Sequence, residues 1–383
     1  MLTGEQNYVI ALLRKSMGGS DRVPEEPEDL NIVETIVRRN GILLTVYGEL
    51  PAALQQSLEE RYLAAARQAV LQDYEGTRVL EALGEAGMNA IGLKGWELRK
   101  LYPEAGMRQM SDVDILVRPY SFEKIKAVMN ALGFSSGRES TWKHDSFSKG
   151  EVHVEMHKRL TDDSGAIRDW ENSLWDNAVA LEDGTMQMSP EDSYLFHFVH
   201  LHKDFLNGSL GLRRVVDTWL QQRQPLDWSK VRDRLESFGM LPFHERMVRL
   251  SQTLMGERPM DEQAEILLAH ACRRGIYGSG KNYKAGRIVA MGKSFAGGKL
   301  RSKLAAVFLP YSRMKAQFPA LERRPILLPY FWMKRSFRFL RGDMRKNRRM
   351  LDYSGLSRED YEEMKRFFQA GGVLSDSRSG DKV

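Results

Sequence analysis

Cysteine is almost absent from this chain: Cys272 is the single one among 383 residues. That excludes an intrachain disulfide framework and a zinc site built from clustered cysteines, and it fits a reducing compartment. Long apolar runs are also missing, and none approaches the roughly 20 residues of a membrane-spanning helix. The opening stretch, MLTGEQNYVIALLRKSMGG, has no basic residues before its apolar ones and no small-residue cleavage site. No secretory leader is expected, and a cytoplasmic location is. Acidic residues vanish between Glu265 and Glu322. Fixed-period repeats are lacking too. The remainder is ordinary for a soluble protein, with 42% hydrophobic and 28% charged residues. The length allows two or more domains and a sizeable core.

The net charge of +6 is unevenly spread. Residues 311–350 hold 12 Lys/Arg against 2 Asp/Glu, which leaves the rest of the chain at about −4. Any expectation of an anionic partner therefore belongs to this region. Its segment LPYFWMKRSFRFLRGDMRKNRRM interleaves aromatic with basic residues. Three situations fit that pattern. It can lie on an anionic membrane surface, giving a peripheral location. It can bind RNA by stacking and charge. Or it can pack its aromatics on the protein and leave its charges solvated.

Apolar residues recur at three- and four-residue spacing through residues 4–89, which predicts a helical region in which Leu63, Ala66, Val70 and Tyr74 share a stripe. Residues 90–185 switch to short alternating stretches. Ala90–Leu93, the strand SDVDILV, a segment around Thr141–Phe147 and EVHVEMHK predict strands. Between them lie the helix WELRKLY, stopped near Pro103, and a helix capped by Ser121 with Phe122, Ile125, Val128, Met129 and Leu132 on one face. Ser189, Pro190 and Asp192 form a capping box that opens a second helical region, 186–275. A basic helical region (276–370) and a disordered tail (371–383) complete the division. The fold class is α+β: a small mixed sheet flanked by helical regions on both sequence sides.

Residues 92–118, GLKGWELRKLYPEAGMRQMSDVDILVR, carry the chemistry. Period two places Asp112 and Asp114 on one strand face, with Val113 and Ile115 on the other. Two such carboxylates repel, so either a cation sits between them or the face is wet. Glu155 on a neighbouring strand, facing the same way, makes a three-carboxylate cluster of the kind that phosphoryl transfer through divalent metals requires. Lys94-Gly95 forms a turn ahead of a helix, suited to a phosphate or simply to tight bending. Arg108 either neutralises phosphate charge or pairs structurally with the aspartates. His153, Glu155 and His157 share a strand face and also read as a mononuclear metal set. His197, His200 and His202 sit among Phe196, Phe198 and Phe205, which favours interior packing. The alternative is that His200, Lys203 or Arg213 lines a cleft. Asp217 is expected to pair with Arg213 or Arg214, its neighbours on a helix.

This layout resembles the polymerase-β-like nucleotidyltransferase superfamily, in which a Gly-containing strand-to-helix turn precedes an Asp-x-Asp strand and a later acidic strand. LKGWELRKLYPEAGMRQMSDVDILV, VEMH and HFVHLHKDF…GLRRVVDTWL are similar, more narrowly, to the uncharacterised nucleotidyltransferase family, over roughly residues 30–260. More distantly, the nucleotidyltransferase toxins of abortive-infection systems share the layout. The resemblance implies transfer of a nucleoside monophosphate from an NTP to an acceptor hydroxyl, with Mg²⁺ (or Mn²⁺) as cofactor. It implies Asp112, Asp114 and Glu155 as catalytic and metal-binding residues, Lys94, Gly95 and Arg108 as nucleotide-binding residues, and a cleft touched by His157, His200 and Arg213. Many superfamily members have Ser or Gly after the turn glycine; here Trp96 follows Gly95. The alternatives are a degenerate nucleotidyltransferase acting as a binding or scaffold module through its basic tail, and a toxin-like RNA-modifying enzyme.

Overall fold

Period-two alternation in three stretches builds the centre of one mixed sheet. The structure, a computed structural model, describes residues 1–19, 22–137, 144–161, 165–181, 185–291, 294–309, 311, 314–315, 318, 320–341, 353 and 355–374. Four helices come first: α1 (Gly4–Ser16), α2 (Leu30–Asn40), α3 (Leu43–Val46) and α4 (Ala52–Glu85). The α/β segment follows as β1 (Asn89–Gly92), α5 (Gly95–Leu98), β2 (Val113–Arg118), α6 (Phe122–Ala131), β3 (Ser135–Ser136), β4 (His144–Lys149), β5 (Val152–His157), α7 (Ala166–Asn177), β6 (Val179–Ala180) and β7 (Met186–Gln187). Next come α8 (Pro190–Leu206), α9 (Leu212–Gln221), α10 (Trp228–Ser237), α11 (Leu241–Leu254) and α12 (Glu262–Arg274). The C-terminal helices are α13 (Gly280–Met291), α14 (Phe295–Val307), α15 (Ala320–Arg323), α16 (Leu328–Arg341) and α17 (Arg358–Ala370). The fold is α+β, with helical regions flanking the sheet.

The strand order is β3-β4-β5-β2-β1-β7-β6. β2 runs antiparallel to β1 and parallel to β5, and β5 pairs antiparallel with β4. On one face Val113, Ile115, Val117, Phe147, Val152, Val154 and Met156 are buried against Val79 and Leu83 of α4 and Ile125 and Met129 of α6. Nearly every strand residue on that face is aliphatic or aromatic, so this layer supplies the hydrophobic stabilisation of the sheet. The opposite face carries the acidic and imidazole residues. Three of the seven strands have only two residues, too short for alternation to reveal them.

Two expectations change. The stripe Leu63, Val70 and Tyr74 is exposed, not buried. α4 has 34 residues, a length of about 50 Å, and it is buried at its two ends, by Leu54 and Leu58 and by residues from Gln72 to Leu83. Its middle is only partly covered, by contacts such as the stacking of Tyr62 on Tyr47 at 3.8 Å, and the row Leu63-Val70-Tyr74 faces away from them. Ser121 occupies the N-cap of α6 but makes no side-chain cap hydrogen bond. Residues 141–143 of the expected strand, 342–350 of the basic segment and 375–383 of the expected disordered tail lie outside the described residues.

Chain contacts define two compact units. The first comprises Met1–Lys203, Leu210–Tyr277 and Ala370–Val373 and contains the whole sheet. The second comprises Asp204–Ser209, Gly278–Gln369 and Leu374–Val383. Its centre includes the stacked rings of Phe205 and Phe367, 4.1 Å apart, with Phe368 beside them. A smaller cluster gathers Met314, Leu321 and Phe331.

Trp96 is a core residue. Its ring fills the space that Gly76 of α4 and Gly92 of β1 leave open, and a Cβ at either glycine would fall 2.3 Å from it. The Arg99 guanidinium lies over the ring at 4.4 Å, and Arg99 in turn pairs with Asp73. We expect Gly92→Ala to destabilise the protein by about 1–3 kcal/mol through overpacking. In urea unfolding, Trp96→Leu in the same chain should recover part of that loss, because the smaller side chain restores the space.

Candidate active site

The parallel register of β2 and β5 assembles the site. Asp114 pairs with Glu155, Val113 with Val154 and Leu116 with His157. Period two then aligns Asp112, Asp114, Glu155 and His157 on the face away from the core. β4 adds a third row, since His144 stands opposite His157. Glu155 thus faces the same way as the aspartates.

Asp114 is 4% exposed, yet it is ionised. Burial alone would raise its pKa, but two cationic partners overcome that. Lys94 Nζ lies 2.8 Å from Oδ1, and His157 Nε2 lies 2.6 Å from the same oxygen. Together they hold the carboxyl well below the ordinary carboxylate range. Asp112 shifts the other way, upward, because of burial first and the Asp114 charge second. Its one side-chain hydrogen bond comes from the Ser111 hydroxyl at 3.1 Å. Glu155 is held low, chiefly by hydrogen bonding to His157. Its two oxygens lie 3.5 Å from His157 Nε2 and 3.3 Å from His144 Nε2. Burial would lower the His157 pKa, but its hydrogen bonds to Asp114 and Glu155 raise it.

Lys94 reaches Asp114 from a costly backbone. Its φ is 46° and its ψ −114°, and among the described residues it is the one non-glycine with positive φ. Such a conformation costs of the order of 1–3 kcal/mol at a residue with a Cβ. The next residue has to be glycine for another reason. A Cβ at Gly95 would lie 2.7 Å from both Arg108 Nη1 and Met110 Sδ.

The family model described as uncharacterised nucleotidyltransferase matches residues 33–256, more than half of the chain. The chain belongs to this nucleotidyltransferase family. Comparison with curated proteins and with solved structures gave no match.

Three carboxylates of this nucleotidyltransferase share one face, and among the described residues the donors gathered closely enough for one cation are a carboxylate and two imidazoles. Ligand atoms of His144, Glu155 and His157 all lie within 4.8 Å of one another. His144 thus takes the place expected of His153. The His153 ring is exposed and hydrogen-bonds Ser148 Oγ at 2.9 Å. His144 went unseen in the sequence because its position depends on hairpin register. The turn at Gly150 pairs Lys149 with Val152, and counting outward brings His144 opposite His157.

Arg108 sits behind the turn. It is buried and makes a bidentate pair with Asp217, Nε to Oδ1 at 2.7 Å and Nη2 to Oδ2 at 2.8 Å. Tyr102 donates to the same Asp217 Oδ1 at 2.9 Å. Asp217 therefore pairs with Arg108, across 109 residues, and not with its helix neighbours Arg213 and Arg214. Arg213 is buried and donates to the Gln109 carbonyl oxygen. His197 is buried on Thr218 Oγ1 at 2.9 Å, and His202 packs edge-on against Phe243. His200 contacts Arg214 and, with Lys94, His197 and Arg214, walls a narrow recess. Glu97, Met188, Ser193 and Gln221 line both that recess and a cavity of about 370 Å³, to which Gln187 and Gln224 also contribute.

Two outcomes follow from this geometry. Lys94→Gly should be more stable than Lys94→Ala by about 1 kcal/mol in chemical unfolding. Both lose the ammonium, and only alanine keeps the strain. Asp217→Asn should cost about 3–5 kcal/mol, because it leaves Arg108 buried without its counter-charge. The Asp217 pKa is about 2, since pairing with Arg108 outweighs burial. That is below the 3.8 of a free carboxyl, so its contribution is complete above about pH 4 and fades as pH falls through 2. Thermal unfolding at stepped pH should show the deficit of Asp217→Asn narrowing over that window.

Proposed function

We propose that this protein moves a nucleoside monophosphate from an NTP to an acceptor hydroxyl, releasing pyrophosphate. One observation carries the reading: β2–β5 pairing aligns Asp112, Asp114 and Glu155 on one face, with Lys94 directed at Asp114 from the turn. Family membership supports the reaction class. Trp96 does not count against catalysis, since its ring belongs to the core and not to the mouth of the turn.

On this reading Asp112 and Asp114 would hold the divalent ions, with Glu155 completing one site. Mg²⁺ and Mn²⁺ both suit the carboxylates. The ions would supply charge neutralisation on the triphosphate and acidify the attacking hydroxyl. Glu155 accepts the proton of that hydroxyl. The acceptor oxygen forms a bond to the α-phosphorus, the bond from that phosphorus to the bridging oxygen of the β-phosphate breaks, and pyrophosphate leaves. Lys94, released from Asp114, turns its ammonium to the triphosphate, and the Gly95 backbone allows the phosphates to approach closely. His157 keeps Asp114 and Glu155 oriented. Arg108, bound to Asp217, positions the turn from behind and directs Nη1 toward Gly95. The cavity beyond the turn sets a few polar groups, among them Gln187, Ser193 and Gln221, in a largely apolar wall of Leu101, Val179, Met188, Pro225 and Leu226, which suits an acceptor with both apolar and hydroxyl parts.

The decisive assay incubates the full chain with Mg²⁺ or Mn²⁺ and each labelled NTP, with and without candidate acceptors. Asp112→Asn and Asp114→Asn should each lower pyrophosphate release by on the order of a hundredfold or more. Release that survives in the Asp112→Ala, Asp114→Ala double variant would refute the assignment.

A further inference from the structure

Two helices of the second unit leave large apolar residues uncovered. α14 meets Ile288 and Met291 of α13 through its own small residues. A Cβ at Gly298 would lie 2.5 Å from Ile288 Cγ2 and 2.6 Å from the Ile288 carbonyl oxygen. One turn later Ser302 is fully buried, its hydroxyl 3.7 Å from Met291 Sδ. Gly298 and Ser302 give α14 a close approach on that side, and Phe295 at its start packs on Tyr361. Leu300 and Leu304, and Phe308 just beyond the end of the helix, follow at spacings of four and are exposed, Leu300 by 61%. A surface helix of a soluble domain ordinarily turns such residues inward.

α16 buries large residues on one side, where Phe331 and Trp332 pack with Leu309, Phe318 and Leu321. On another side Tyr330 and Met333, together with Ile326 in the turn just before the helix, are exposed, Ile326 by 87% and Met333 by 68%. The Phe308 ring meets the ring of Trp332 on α16 edge-on at 5.4 Å, so the end of the first row lies against the helix that carries Tyr330 and Met333. Adjoining exposed apolar rows of this kind mark an interaction surface.

Charge decides the partner. Residues 276–341 carry 15 Lys/Arg and one acidic residue, Glu322. That glutamate is itself paired with Lys315 at 2.8 Å. A surface that is apolar and almost purely basic fits an apolar layer covered by negative charge. A second copy of the chain would bring two strongly basic units together and repel. RNA would satisfy the charge, and Phe308 and Tyr330 offer rings to a base, but the other four residues of the rows, Leu300, Leu304, Ile326 and Met333, have no ring on which a base can stack. No helix among the described residues is long and apolar enough to cross a membrane, so the rows lie along a surface.

We propose that this unit binds the surface of an anionic lipid bilayer. The rows Leu300-Leu304-Phe308 and Ile326-Tyr330-Met333 enter the headgroup boundary, and the surrounding lysines and arginines meet the lipid phosphates. The partner is the bilayer surface, recognised by burial of apolar area together with negative charge.

Co-sedimentation of the full chain with vesicles tests this. One set holds phosphatidylcholine alone and the other phosphatidylcholine with phosphatidylglycerol. Binding to the anionic set should exceed binding to the neutral set by at least tenfold and should weaken in ~1 M salt. Leu304→Ser with Met333→Ser should weaken it by about tenfold or more. Both positions are exposed, so circular dichroism and thermal unfolding should match the parent. The double variant should also keep full pyrophosphate release in solution, which separates this proposal from the catalytic one. Three results would overturn it: equal binding to both vesicle sets, binding unchanged in the double variant, or capture of a single-stranded RNA oligonucleotide with no capture of anionic vesicles.

Discussion

A buried carboxylate that must stay charged sets the terms for this molecule. Asp114 is almost wholly shielded from water, and an unpaired charge there would cost far more than the fold could offset. Lys94 and His157 both converge on one of its oxygens. The rest of the site follows from meeting that demand. His157 must lie on the strand parallel to β2, which fixes Glu155 two residues earlier on the same face. Lys94 must reach in from the end of β1, and the chain accepts a left-handed lysine to do so. Strain of that kind persists only where its surroundings over-determine it, and here Gly95, packed against Arg108 and Met110, does so.

Much of this was legible in the sequence, because period two is a local property. The alternation in SDVDILV and EVHVEMH was enough to assign both carboxylate rows and the apolar face behind them. What stayed hidden depended on distance along the chain. Asp217 has two arginines within a helical turn and ignores both for Arg108, because tertiary packing brings a bidentate partner into a dry site. His144 needed the hairpin register. Trp96 misled because it sits where a phosphate-cradling residue was expected. The glycines that make room for it, Gly76 and Gly92, are 20 and 4 residues away, and nothing local links them. The exposed row on α4 shows the converse failure: helical periodicity identifies a face but not whether a layer lies against it.

The Arg108–Asp217 pair has a role that neither residue advertises. It lies wholly within the interior, where removing one partner is costly, while replacing both by apolar groups is often tolerated. Such a pair is weak evidence for stability and better evidence for placement. It fastens α9 to the segment between α5 and β2, with Tyr102 as a third member. Arg108 Nη1, not engaged by Asp217, faces Gly95 across the gap that a Cβ would fill. The helical region after the sheet thereby fixes the position of the turn before β2, and the family match, residues 33–256, takes in both.

Lys94 also shapes how the proposed reaction would begin. In the structure its ammonium neutralises the carboxylate that the reaction needs for a metal ion. On the proposed reading, a divalent cation taking Asp114 Oδ1 by itself would displace Lys94 and leave that ammonium without its partner. A cation arriving with a triphosphate would not, because the phosphates offer Lys94 a new anion as it lets go of Asp114. The same salt bridge that keeps Asp114 charged when buried therefore disfavours the metal by itself and favours metal and nucleotide together, a positive coupling that must run equally in both directions. Strain stored at Lys94 acts in the same sense: it lowers the cost of moving the one residue whose departure opens the site.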